Sequence, residues 1–179
     1  MKAKGRTIKY IFRVLKDEGV DFSDIRERLP EEYKNLITDI NALKDEELFP
    51  FEMYMEIMKL VCFEKGREFA RFIGKKSAEL FISGELRVAK RIKDVQWIIS
   101  KDFLIGDSFY GGCRYLTKRL SENEINVKFE NMDKTNEFVE EKIRGFLEEI
   151  FNTAGLKTEV SIVSSPLKGS PFLEINVKW

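Results

Sequence analysis

The side chains that most often carry protein chemistry are scarce in this chain. It has no His, which removes imidazole acid–base groups, imidazole metal ligands and every Ser-His or Cys-His nucleophile pair. The two cysteines, Cys62 and Cys113, are far apart in sequence. A zinc site needs about four closely spaced donors, and that pattern is missing. Glu140, Glu141, Glu148 and Glu149 fall beside, not within, the apolar stripe of their helix, so they read as solvated rather than as a coupled acid–base pair. Gly111-Gly112 lacks the strand-to-helix setting and the Lys-Ser/Thr of a phosphate loop. On these grounds we expect no enzyme.

Apolar and basic side chains are more suggestive. Phe occurs 15 times, and Met53, Met55 and Met58 share one helical segment. Such side chains fill a core or line a cavity for an apolar ligand, and spacing alone leaves both readings open. Lys75, Lys76, Arg87, Lys90, Arg91 and Lys93 form a local positive cluster. This is either a solvated face or a surface for an anion, carboxylate or partner.

Lys plus Arg and Asp plus Glu both number 31, for a net charge of zero. Nucleic-acid binding by bulk charge is therefore not expected. Frequent Lys and Glu with a single Gln, Gln96, resemble thermophile usage. The first residues lack the apolar stretch of a secretion signal, and no run reaches the ~20 apolar residues of a membrane span. These features predict a cytoplasmic protein with reduced cysteines.

The elements that must position any site follow from periodicity. Apolar spacings of three and four predict helices over 7–18, 22–29, 30–40, 50–66 and 67–83. Residues 85–98 read as a helix, and 110–120 as another with Cys113, Leu116 and Leu120 inward. Ile125, Val127 and Phe129 alternate with polar residues, predicting a strand. Phe138, Val139, Ile143, Phe146, Leu147, Ile150 and Phe151 make one stripe on a long closing helix. Asp133 or Thr135 is its expected N-cap and Gly155 its left-handed stop. Two strands close the chain over 158–164 and 173–179. Helices first and sheet last is α+β logic, and the length fits one domain over 1–179. Residues 1–84 are expected to be mostly helical and 85–179 to mix helices with sheet.

Three stretches carry a family resemblance. Pro50 to Gly66, followed by Arg67-Glu68-Phe69-Ala70-Arg71-Phe72-Ile73-Gly74, resembles a central helix pair. Ile143-Arg144-Gly145-Phe146-Leu147-Glu148-Glu149-Ile150 resembles a long helix with an internal glycine. Gly169-Ser170-Pro171-Phe172-Leu173-Glu174-Ile175 resembles a closing turn and strand. In this order they resemble the superfamily of heme nitric-oxide/oxygen-binding (H-NOX) domains, 4-vinyl reductase domains and the Bet-type subunits of the TRAPP complex.

The resemblance implies an α+β fold: an N-terminal helical layer on a roughly four-stranded antiparallel sheet, with an apolar pocket between them. It places Phe69, Phe72, Ile73, Val95, Gln96 and Phe146 around that pocket. H-NOX proteins ligate heme through a His, and Gln96 would stand at that position here, so usual heme ligation is not expected. Cys62 and Cys113 remain as the ligands of an atypical heme. Tyr115-Leu116-Thr117-Lys118-Arg119 looks like the family's Tyr-x-Ser-x-Arg propionate grip, but it precedes the first strand expected from the pattern.

The expected function is a non-enzymatic sensor that binds a small apolar or acyl ligand and signals to a protein partner or a homodimer mate. The alternatives are an interaction module with a filled core and a heme gas sensor with a non-His ligand.

Overall fold

A computed structural model of the chain describes residues 1–84 and 109–179. The chain opens with β1 (Lys2–Lys4), which runs into α1 (Gly5–Asp17). Ile8, Ile11, Phe12 and Leu15 of α1 are buried, as their spacing demands. Asp21 caps α2 (Phe22–Arg28) by accepting the Ser23 N–H at 3.0 Å. The third helix, α3 (Glu31–Lys34), is only one turn. The longer helix expected there stops early, so Leu36 is exposed while Ile37 turns into the core. β2 (Leu48–Pro50), α4 (Phe51–Cys62) and α5 (Gly66–Gly84) follow.

The stretch from 110 to 120 departs from expectation. It forms β3 (Tyr110–Gly111) and β4 (Arg114–Ser121), not a helix. Leu116 and Leu120 are four apart, which imitates a helical period, yet both face outward. Cys113 is half-buried. The inward residue is Tyr115, whose ring meets Phe129 edge-on at 4.9 Å. Pairing with the next strand, β5 (Glu124–Glu130), settles the outcome: Tyr115 stands opposite Phe129 and Thr117 opposite Val127. Cross-strand pairs of this kind override a weak local period.

The long closing helix, α6, spans Glu137–Asn152. Its cap is Asn136, not Asp133 or Thr135. Asn136 Oδ1 accepts the Val139 N–H at 2.9 Å, and its Nδ2 donates to the Met55 carbonyl at 2.8 Å. One side chain thus starts α6 and ties it to α4. Asn136→Ala should cost about 1–2 kcal/mol, read as a shifted urea midpoint with an unchanged slope. Gly155 stops the helix at φ 82°. β6 (Glu159–Ser164) and β7 (Leu173–Lys178) complete the chain.

The main sheet is antiparallel, in the order β4-β5-β7-β6. Ile125, Val127 and Phe129 of β5 and Leu173, Ile175 and Val177 of β7 are buried, which is the predicted alternation. A smaller sheet, β2-β1-β3, joins the N-terminus to the segment before β4. Its strands are two or three residues long, too short to carry a period.

The tightest helix contact is between α5 and α6. Arg67 pairs with Glu137, and further along Arg71 and Lys75 both pair with Glu148. The paired numbers rise together, so the helices run the same way. At their crossing stand Gly74 and Gly145. A Cβ at Gly74 would lie 2.0 Å from the Lys142 carbonyl oxygen, and one at Gly145 2.0 Å from that of Arg71. The glycines serve backbone-to-backbone approach rather than turns.

Candidate functional site

A cavity lies where the aromatic residues of several elements converge on α6. Lys142, Ile143, Phe146 and Leu147 line it from α6, Tyr115 and Phe129 from β4 and β5, and Phe109 and Tyr110 from the start of β3. Its volume is about 20 Å³, enough for one water-sized group. Phe109 organises the walls. Its ring meets Phe146 edge-on at 4.8 Å and Phe81 at 5.1 Å, and its carbonyl accepts the Thr7 hydroxyl at 3.1 Å.

One wall residue is out of keeping with the rest. Lys142 is 2% exposed. Its ammonium lies 5.7 Å from the Tyr54 ring centroid and 5.8 Å from that of Phe109. No hydrogen bond or ion pair joins it to the described residues. Burial lowers its pKa from the ordinary 10.5 to about 7, because desolvation penalises the charged form. Beside it, the Tyr54 and Tyr110 hydroxyls are 3.2 Å apart and buried. Burial also raises both tyrosines above the usual phenol range.

The residues expected around a pocket are placed as follows. Phe146 lines the cavity. Ile73 is fully buried on α5 but is not part of the lining. Phe69 and Phe72 are half-buried and stack on each other at 5.9 Å, with Lys65 and Lys76 approaching their rings. Val95 and Gln96 lie outside the described residues, as do Arg87, Lys90, Arg91 and Lys93 of the basic cluster. Lys75 and Lys76 of that cluster pair with Glu148 and Glu79.

Sequence reasoning missed Lys142, although its signal was present. Phe138, Lys142 and Phe146 are spaced by four, so the lysine falls inside the apolar stripe. Glu140 was also misjudged as solvated. It is buried and accepts a hydrogen bond from the Ser165 hydroxyl. Burial raises its pKa, and the Ser165 bond partly opposes the rise. The Ser165–Glu140 pair fastens α6 to the turn before β7.

Tyr115, Thr117 and Arg119 do stand on a strand, contrary to the reading that set them before the sheet. Tyr115 reaches the cavity, and the Thr117 hydroxyl is buried with no partner among the described residues. Arg119 is occupied by the hairpin turn, donating to the Ser121 and Glu122 carbonyls.

Among the described residues, the donor set does not suit a heme iron. Cys62 and Cys113 are absent from the cavity lining, and burial pushes both thiols up to about 12, so the thiolate that binds iron is disfavoured. The cavity is also far smaller than a porphyrin. Among the described residues, no three Cys, Asp or Glu gather as a metal site requires, and no helix is long and apolar enough to cross a membrane.

No family model matches the sequence, and no curated protein matches it. Solved structures do. An H-NOX variant from K. algicida superposes with a TM-score of 0.68 at 8% identity, covering 98% of this chain and 95% of that one. A double variant of Tt H-NOX gives 0.65 at 14% identity, covering 98% and 94%. A Cs H-NOX variant gives 0.65 at 16% identity, covering 98% and 95%. Across nearly its whole length, this histidine-free chain has an α+β, H-NOX-like fold.

Proposed function

We propose that this protein is a non-enzymatic sensor-type domain that takes a small apolar ligand between α6 and the main sheet and passes its uptake to a protein partner. The observation that carries this reading is the ring-walled cavity around a buried amine that has no partner among the described residues, set within a fold similar to that of the H-NOX structures. Few polar groups on apolar walls is the usual composition of a small-molecule site. The cavity admits only a water-sized group, so a larger ligand must part the walls. That requirement makes uptake a structural signal.

Native mass spectrometry tests the proposal, using protein purified mildly from heme-supplemented cells, with an absorption spectrum of the same sample. The expected result is a bound organic mass and no Soret band. Phe146→Trp, which fills the cavity, should abolish the added mass while leaving the circular dichroism unchanged. A Soret band would sink the heme-free reading.

A filled-core interaction module is the second reading. It draws on the small size of the cavity and on Phe63, which is 70% exposed on the surface. A clean apo mass, above all of a dimer, would favour it.

A further inference from the structure

The surroundings of Lys142 are rich in donors and poor in acceptors. Its ammonium has three N–H groups and no acceptor among the described residues. The Tyr54 and Tyr110 hydroxyls share one hydrogen bond, so one donates to the other. The receiving hydroxyl keeps a proton of its own for which the described residues offer no further acceptor. Buried donors seldom go unmatched.

Several carboxylates of the packed elements are engaged elsewhere. On α6 itself, Glu140 is held by Ser165, Glu141 by Arg144, and Glu148 by Arg71 and Lys75. From α4, β3 and β4 the titratable groups near Lys142 or on the cavity wall are Tyr54, Tyr110 and Tyr115, which bring no negative charge at neutral pH. The two rings near the ammonium, at 5.7 and 5.8 Å, sit at the outer limit of a cation–π contact. Among the described residues the site offers no anion, and its walls are mostly aromatic and aliphatic.

We propose that Lys142 anchors an apolar monocarboxylic acid, whose carboxylate pairs with the ammonium while its hydrocarbon takes the ring-lined walls. This rests on the ligand-site reading above and names the ligand's chemistry. The carboxylate fills the water-sized space. The tail gains room by parting Tyr115 from α6, because among the described strands β4 is an edge strand held by a ladder on one side. Association takes up a proton wherever the free amine is neutral, because a carboxylate neighbour favours the charged form.

Calorimetric titration of the full chain at about pH 8, roughly a unit above the value of about 7 for Lys142 in the ligand-free protein, tests this. Octanoate and octanol are compared in two buffers of different ionisation enthalpy. Octanoate should bind about tenfold or more tightly than octanol, with net uptake of most of one proton. Lys142→Met should erase the preference and the proton uptake while octanol still binds. Equal binding of acid and alcohol by the wild type, without proton uptake, overturns the assignment of Lys142 but leaves the ligand site standing. Binding of neither probe or of any longer or shorter homologue counts against the ligand site itself. Preference for an aldehyde, trapped on Lys142 by borohydride, would also overturn the proposal, since it would make the amine a nucleophile.

Discussion

Lys142→Met should stabilise the ligand-free protein by about 3–4 kcal/mol at pH 7, roughly 10 °C in melting temperature for a chain of this size. Met has nearly the length of Lys and no charge, so it keeps the packing and removes the desolvation cost. The sign follows from proton binding. In the folded state the amine titrates at about 7 instead of the ordinary 10.5. Between those values the unfolded chain binds more protons than the native one, so wild-type stability climbs as pH rises through that window. The advantage of the methionine variant is therefore complete below about pH 7 and shrinks to under about 1 kcal/mol near pH 10.5. Urea titrations of both proteins at pH values across this window measure it. A gain that does not vary with pH would mean that the fold does not neutralise the amine. A site that weakens the empty protein and is relieved by its ligand fits a binding role better than a structural one.

Gly74→Ala and Gly145→Ala should each destabilise by about 2–4 kcal/mol. In an ordinary helix, Gly to Ala is favourable by about 1 kcal/mol, so the sign itself is diagnostic. Each new methyl would meet a main-chain carbonyl oxygen at 2.0 Å. A carbonyl has no rotamer with which to yield, so the axes must move apart. Once either alanine has separated them, the second meets less resistance. The double variant should then cost clearly less than the sum, a coupling visible in a double-mutant cycle. Strict additivity would show that the two positions are not one crossing. Because α6 also carries Lys142 and Phe146, both variants should widen the cavity and raise the exchange rates of α6 amides.

Much of this fold is readable from the chain, and its failures share a cause. The stripe on α1, the long closing helix and the alternation of β5 and β7 repeat often enough to outweigh local noise, and all are present. The segment from 110 to 120 was misread because Leu116 and Leu120 imitate a helical period, while the partner that makes it a strand lies across the hairpin turn. The small sheet is built from pieces too short to show any period. Of the candidate site, Phe146 was legible as part of the stripe. Lys142 was passed over because lysine reads by default as solvated, even where its spacing places it among phenylalanines. Asn136 was overlooked as a cap because Asp133 and Thr135 compete for that role in sequence. Only its reach to the Met55 carbonyl distinguishes it.

The glycine crossing also bears on how movement spreads. Where helices touch through side chains, part of any shift is absorbed as rings and methyls change rotamer. Here main chain meets main chain at two points, between Gly74 and Lys142 and between Gly145 and Arg71. The two helices therefore form a stiff lever rather than a cushioned pair. A displacement that begins at Phe146, on the cavity, reaches the stacked Phe69 and Phe72 rings with little lost to side-chain compliance, and those rings are only half covered.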